Sequence, residues 1–444
     1  MDNHKKICDE IFNITKGTQT EVIINSKESA LTRFADNVIS QNVSNTDTNI
    51  SIRLVKNGKM SKVNFNQNKS SEIKKAVDNA LYLLKNQEKN SGALGLLNPS
   101  AGITEKKDLF VKNTAEISPE FKALKIKNLA KKCKKDKQIC YGTLENGYTK
   151  TTIANNLGLH LSHKESYVEY DITVKDKDGF GWAGQGANNI DIIDFDKIEE
   201  TAIQKAKLSK NPLSIKPGKY TVILEPAAVA EFLMFMNFYG FGGKFYLEGQ
   251  SFISGKIGKK VLSDKLSIYD NGLDGPSAGM PFDFEGFPRK KLALIEKGVA
   301  KTAVFDRKTA LEAKTKNTGH GLPIPNTWGP LPVNTFVSPG KTSIGDMIKQ
   351  TSKGILITQF HYTNILKPLT LEITGMTRNG TYLIENGKIK KAIKNMRFTE
   401  SLLKALNNVI CVGDKTTTTM SYIGKTSVPA LKIKDFNFSS STEF

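Results

Sequence analysis

Residues 226–239 read Pro-Ala-Ala-Val-Ala-Glu-Phe-Leu-Met-Phe-Met-Asn-Phe-Tyr, an apolar run interrupted only by Glu231 and Asn237. A β-branched and aromatic stretch, Tyr220–Leu224, precedes it after the Pro217-Gly218 breaker and predicts a short strand. Glu225 can stand at a helix start. Pro226 suits the first helical turn, where its missing N–H would have no partner anyway. A helix with no polar face must be buried, so 226–239 is predicted to be the central element of its domain. Six glycines follow (Gly240, Gly242, Gly243, Gly249, Gly255 and Gly258), which permit positive φ or a close backbone approach. Strand, buried helix and glycine loop together form a candidate floor for an active site.

The remaining chain is long enough to cover such a helix. At 444 residues two or three domains are expected, each with a sizeable core. No stretch reaches the roughly 20 apolar residues that cross a bilayer. The N-terminus leads into an amphipathic helix with Ile7, Ile11 and Phe12 on one face and has no secretory pattern, so a cytoplasmic location is expected. The four cysteines, Cys8, Cys133, Cys140 and Cys411, form no C-x-x-C pair, which argues against a zinc knuckle or a disulfide framework. Net charge is +20, mostly from lysine. Its densest run, Lys122–Lys137, carries Ile126, Leu129, Ala130 and Cys133 at helical spacing. That pattern is a surface helix with a solvated basic face rather than a nucleic-acid site, and no basic strand interleaved with aromatics is present.

Strands are predicted at Glu21–Asn25, Ala30–Phe34, Ile39–Ser44 and Asn49–Val55. An Asn57-Gly58 hairpin then leads into Met60–Phe65. Ser70 and Ser71 offer caps to a helix with Ile73, Ala76, Val77, Ala80, Leu81 and Leu84 on one face. After Tyr141 the pattern recurs. Ala35-Asp36-Asn37 is echoed by Ala154-Asn155-Asn156, the Asn57-Gly58 turn by Asp178-Gly179, and a second helix follows from Asp194. An internal duplication of a meander plus a helix is the reading. The boundary falls at Asn211–Gly218, giving an N-terminal α+β domain of residues 1–212 and a C-terminal domain of residues 213–444. The latter is strand-rich and mainly antiparallel, with strands at Leu266–Tyr269, Lys291–Glu296, Val299–Asp306, Thr335–Ser338, Gly354–Phe360, Leu369–Thr374, Thr381–Ile384 and Ile389–Ile393. No Walker or Rossmann loop occurs, because the glycines follow a helix instead of opening one.

The chemistry-bearing residues are sparse. His160 and His163 stand in strand-like sequence at a spacing unsuited to a zinc pair. His320 lies in the loop Thr318-Gly-His-Gly321 and His361 at a strand end; a surface or capping role is expected of both. Ser251 and Ser254 meet no Gly-x-Ser-x-Gly elbow and have no base nearby in sequence. Glu231 is a carboxylate in an apolar helix, expected to pair with a cation or to sit at the helix edge. The clusters Asp283/Glu285 and Thr377-Arg378-Asn379-Gly380 are polar loops or turns able to hold a peptide.

Taken in order, several stretches resemble the TldD/PmbA family along nearly the whole chain. They are Arg33–Asn37, Ile52–Leu54 through Asn57-Gly58, Tyr220–Leu224, Gly249-Gln-Ser-Phe-Ile-Ser-Gly-Lys-Ile-Gly258, Phe284–Gly286, Ile295–Gly298, Thr318–Gly321 and Gly375-Met-Thr-Arg-Asn-Gly380 leading into Leu383–Lys388. The resemblance implies a two-domain α+β fold. It also implies a cytoplasmic peptidase assembly in which a TldD-type subunit carries zinc and a TldE (PmbA) subunit completes the chamber. Its substrates would be unfolded or precursor peptides, and family members are also associated with modulation of DNA gyrase. One departure bears on the role. The zinc-bearing type has His-Glu-x-x-x-His on the helix after the strand matching Tyr220–Leu224, where an ungapped reading places Met234, Phe235 and Tyr239. The region of its C-terminal cysteine reads Ser421-Tyr422-Ile423-Gly424 here.

The chain is therefore expected to be the TldE/PmbA-like subunit, with no metal site of its own and zinc in a TldD-like partner. It would act as a heterodimer on an extended peptide. The alternative is a stand-alone homodimer that binds peptides or regulates without peptidase activity. Catalytic residues are not assigned; the candidates are Glu231, His320 and His361. Expected peptide contacts are Ser251, Gly255, Thr377, Arg378 and Gly380.

Overall fold

The computed structural model describes residues 3–89, 94–98, 109–421 and 424–442. The fold is α+β, built on two sheets. The first is six-stranded and wholly antiparallel, in the order Lys59–Phe65, Val38–Lys56, Gln19–Ala35, Ile139–Asn155, His160–Asp176, Gly179–Ala187. This is one meander set against a second, joined through the first strand of each. The echoed turns occupy matching places, Asp36-Asn37 and Asn155-Asn156 each closing the first hairpin of its unit. Helices Ser70–Asn86 and Phe195–Leu208 follow the respective meanders and bury the apolar faces read from their spacing, as does Pro119–Lys135 between them.

The strands of the first hairpin are longer than the sequence suggests. Four predicted short strands merge into Gln19–Ala35 and Val38–Lys56, of 17 and 19 residues. The polar middles that look like loops pair in continuous register, because a strand exposed on one or both faces has no need of apolar alternation. The cap of the first long helix also differs: Lys69 occupies the N-cap without a side-chain bond, and Ser70 and Ser71 lie in the first turn.

The second sheet is eleven-stranded and mixed. Its centre closes on itself. Gly218–Leu224 pairs with Lys353–Lys367, which pairs with Glu372–Glu385, then Met396–Ser401, then Gly424–Ser441, which returns to Gly218–Leu224. Helix Pro226–Tyr239 packs on this ring, and none of its residues is exposed. Phe232 stacks on Phe360 and Phe436, with ring centroids 5.5 and 6.3 Å apart. Asn237, the one amide in the helix, is buried and donates to Thr335 Oγ1 at 3.0 Å. Gly243 is required by proximity, since a Cβ there would lie 2.5 Å from the Val304 carbonyl oxygen.

Elsewhere the strand predictions shift. The predicted strand Leu369–Thr374 begins in a 3-10 turn, Pro368–Thr370, and only its Glu372–Thr374 part joins Thr381–Ile384 in the single strand Glu372–Glu385; Val299–Asp306 shortens to Val299–Ala300. The last hairpin, Val409–Ser421 with Gly424–Ser441, was not legible in advance.

The two halves meet through side chains from both. Phe282 joins Ile23, Ile153 and Leu159 in an apolar cluster. Lys425 Nζ reaches Glu165 Oε2 at 2.7 Å, Asn188 Oδ1 at 3.1 Å and the Ala278 carbonyl oxygen at 2.7 Å. Burial would push the Glu165 carboxyl up, but His163 and Lys425 outweigh it and hold it at about 2.

Candidate peptide cleft

Two neighbouring strands of the ring, Lys353–Lys367 and Glu372–Glu385, carry facing irregularities. Between them the register is regular from Gln359↔Arg378 to His361↔Met376, and it breaks on both sides of that short block. On one side Asn379 and Gly380 take φ of 54° and 135°; on the other Tyr362 takes φ of 52°. Bulges bend a strand and re-aim its side chains. Here they turn Tyr362 outward, 71% exposed, and leave Arg378 exposed beside it. Thr377–Gly380 is thus a bulged piece of strand and not a free turn. His361 lies inside a strand and not at its end.

These residues line a cavity of 560 Å³ whose opposite wall comes from the first sheet. Tyr141 and Phe180 supply that wall; Arg378, Tyr362, Asn379 and Asn395 supply the near side. A second lobe of 690 Å³, which shares Phe180, Asn379 and Asn395, continues past Gly380 and Thr381. Arg378 Nη1 donates to His361 Nε2. Burial and the Arg378 charge both lower the His361 pKa, in keeping with a neutral, accepting imidazole. Thr377 is buried, and its Oγ1 accepts the Met396 N–H at 3.0 Å, so it fixes the neighbouring strand.

Of the residues singled out from sequence, His361, Thr377, Arg378 and Gly380 come together at this cleft. Glu231 does not line the cleft; its half-buried carboxylate accepts a hydrogen bond from Thr363, next to Tyr362 in sequence. Burial raises its pKa, the Thr363 hydroxyl opposes this, and no cation pairs with it among the described residues. The expected cation partner is therefore replaced by a hydroxyl. Ser251, Gly255 and His320 lie elsewhere. Ser251 is buried, its hydroxyl donating to the Gly240 carbonyl and accepting from Ile253 N–H, which is a loop-fixing role. Gly255 is on the surface with φ of 67°.

His320 is fully buried, which corrects the expected surface role. Its Nε2 faces Asp270 Oδ1 at 3.1 Å and its Nδ1 bonds Thr318 Oγ1 at 2.9 Å. Arg289 approaches Asp270 at 3.7 Å and bonds Asn334. Burial opposes ionisation of Asp270, but His320, Arg289 and the Asn334 N–H prevail and hold it at about 2. Nearby, burial and Asp283 push the Glu285 carboxyl up to about 8. Asp283 and Glu285 thus belong to a buried network and not to an open loop.

Tyr141, Phe180, Tyr362 and Asn395 were not anticipated. One signal was present in Gly179-Phe-Gly-Trp182, where aromatic residues flanked by glycine mark a strand with one open face.

Three domain descriptions of one family match this chain. They are the PmbA/TldA metallopeptidase domain 1 over residues 20–83, the central domain over 112–210 and the C-terminal domain over 217–440. The chain belongs to the PmbA/TldD family. A Buchnera aphidicola metalloprotease TldD homolog is 30% identical over 225 residues, 50% of this chain and 46% of that protein. A Methanocaldococcus jannaschii metalloprotease is 26% identical over 254 residues, 54% of this chain and 55% of its own. The chain thus spans about half the length of these curated relatives. TldE from Thermococcus kodakarensis superposes with a TM-score of 0.86 at 19% identity, covering 98% of this chain and 100% of the other. A Thermotoga maritima protein described as a modulator of a DNA gyrase gives the same TM-score at 20% identity, with the same coverage. At these identities the likeness establishes the shared fold.

Whether this PmbA/TldD member suits zinc is a matter of donor chemistry. Met234, Phe235 and Tyr239 present a thioether, a hydrocarbon ring and a phenol, and Tyr239 packs in an aromatic group with Phe238, Phe245 and Trp328. Zinc sites use imidazole, thiolate and carboxylate, so this set does not fit. Among the described residues no three His, Cys, Asp or Glu converge on one point. Tyr422 and Ile423 of the C-terminal region lie outside the described residues. No helix among the described residues is long and apolar enough to cross a membrane.

Proposed function

We propose that this chain is the TldE/PmbA-type subunit of a cytosolic TldD/TldE-type metalloprotease acting on unfolded or precursor peptides. A TldD-like partner carries the zinc in a heterodimer, and this chain supplies a wall that holds the peptide extended. The observation that carries the reading is the substitution of Met234, Phe235 and Tyr239 at the helix positions of the family's His-Glu-x-x-x-His, in a chain that matches all three family domains. A metal-free subunit polarises no carbonyl itself, so its contribution is binding and orientation. An extended substrate suits a strand-built cleft, because main-chain hydrogen bonds accept many sequences.

The test compares peptide cleavage by the chain alone, the zinc-bearing homologue alone and the two together, with metal content measured in each. Cleavage is expected from the pair, and zinc only in the partner. If the chain alone with added zinc cleaved peptides as fast as the pair, the proposal would be wrong.

A further inference from the structure

Arg378 stands apart from the other arginines that line internal surfaces. Arg53 is held bidentately by Glu21 at 2.8 and 2.7 Å, and Arg289 faces Asp270. Arg378 has no carboxylate partner among the described residues. Its polar contact is the neutral His361 imidazole, which engages Nη1 and leaves the other N–H groups of the guanidinium for an outside acceptor. Among the described residues no acidic side chain lines its lobe of the cleft. The adjoining lobe adds Lys391 and a single acid, Asp178, whose two oxygens already take the Asn211 N–H.

The backbone around Arg378 is built at a cost. Tyr362 is an aromatic residue at positive φ, a strained state that survives only where surroundings impose it. Thr358 and Thr381, buried at the bulge beside Arg378, each keep a hydroxyl without a hydrogen-bond partner among the described residues, and Thr381 lines the second lobe. Unpaired buried hydroxyls and a strained aromatic on one short block of sheet mark a site whose geometry serves something other than packing. Planar guanidinium against planar carboxylate is the pairing such an arrangement favours.

We infer that the Arg378 lobe binds a carboxylate carried by an extended peptide, from either its C-terminus or an Asp or Glu side chain. The inference rests on the reading of the cleft as a peptide site. His361 is a positioning residue that fixes one edge of the guanidinium, while Asn379 and Asn395 offer amides to the adjoining main chain and Tyr141, Phe180 and Tyr362 give the lobe aromatic walls.

The experiment measures fluorescence anisotropy of the purified full chain with three fluorescein-labelled Val-Ser-Val-Ser-Val-Ser hexapeptides. One has a free C-terminal carboxylate, one a C-terminal amide, and one is an amide with Glu in place of the central Ser. At least one carboxylate peptide is expected to bind about tenfold or more tightly than the neutral amide, since charge-assisted pairs of this kind discriminate on that scale. The preferred peptide identifies the source as terminus or side chain. Arg378→Ala should abolish the preference, so that carboxylate and neutral peptides bind alike, and Arg378→Lys should restore part of it. Equal binding of all three, or a preference that survives Arg378→Ala, overturns the carboxylate inference and leaves the peptide cleft standing. Absence of binding by all three up to about 1 mM, a weak limit on the affinity scale, overturns the cleft reading and the inference with it.

Discussion

Gly380 shows how narrowly a single position can be specified. Its φ of 135° lies in the glycine region, and a Cβ built there would be 2.4 Å from Thr358 Oγ1. Gly380→Ala combines backbone strain with overlap, so a loss of about 1–3 kcal/mol is expected. Urea unfolding would measure it; an unchanged midpoint would mean the bulge relaxes freely. Asp270 is specified by charge instead. Asp270→Asn leaves Arg289 and His320 facing an uncharged amide in a buried place, with an expected cost of about 3–5 kcal/mol at neutral pH. The sign with pH follows from its depressed folded pKa of about 2, below the ordinary unfolded value of roughly 3.9. This stabilisation is fully present above about pH 4 and disappears as pH falls through about 2. The gap between wild type and Asp270→Asn should therefore close across that window, and a gap constant from pH 6 to pH 2 would place the effect elsewhere. None of this was visible in the local sequence. His320 looked like a loop residue because Asp270 and Arg289, which make it a core residue, lie 50 and 31 positions away.

At the scale of elements, what reads correctly depends on whether the deciding contacts are local. The central helix was legible because its lack of a polar face dictates burial, whatever the covering elements are. Asn-Gly dipeptides show the limit. Asn57-Gly58 and Asn386-Gly387 form hairpin turns with nearly the same angles, φ of 52° and 74° and of 50° and 74°. Asn379-Gly380 has the same sequence and becomes a bulge, because strands on both sides of it pair with Lys353–Lys367 in one direction and hold the chain straight. Turn propensity lost to the long-range ladder. The helix itself offers a graded test at Phe232, fully buried and stacked on both Phe360 and Phe436. Phe232→Ala is expected to cost about 3–5 kcal/mol through lost burial and a residual cavity, and Phe232→Leu markedly less. Thermal unfolding of the pair would separate a packing role from a tolerant one, since equal losses would mean that shape at this site counts for little.

At the scale of the whole molecule, the duplicated N-terminal sheet was readable from its echoed turns, whereas the closed ring of the C-terminal sheet was not. The ring depends on Gly424–Ser441 meeting Gly218–Leu224 some 200 positions earlier, and the N- and C-terminal halves also meet through residues far apart in sequence. Lys425 concentrates that second contact, joining Glu165 and Asn188 of the first half to Ala278 of the second while almost wholly buried. Lys425→Met keeps the aliphatic stem and removes the charge that stabilises the Glu165 carboxylate, leaving His163 beside it. A loss of about 3 kcal/mol is expected, by analogy with a buried pair broken on one side. The chain carries its own reporters, because its two tryptophans, Trp182 and Trp328, fall in different halves. Trp182→Phe and Trp328→Phe variants would each leave one fluorescent probe, and coincident urea curves indicate cooperative unfolding of both halves. With Lys425 present the curves should coincide. In the Lys425→Met background they should separate, the half with the weaker core unfolding first. If they stay together, the remaining contacts between the halves, among them the Phe282 cluster with Ile23, Ile153 and Leu159, the Lys205–Glu225 ion pair and the Ser209–Tyr382 hydrogen bond, are enough to couple them.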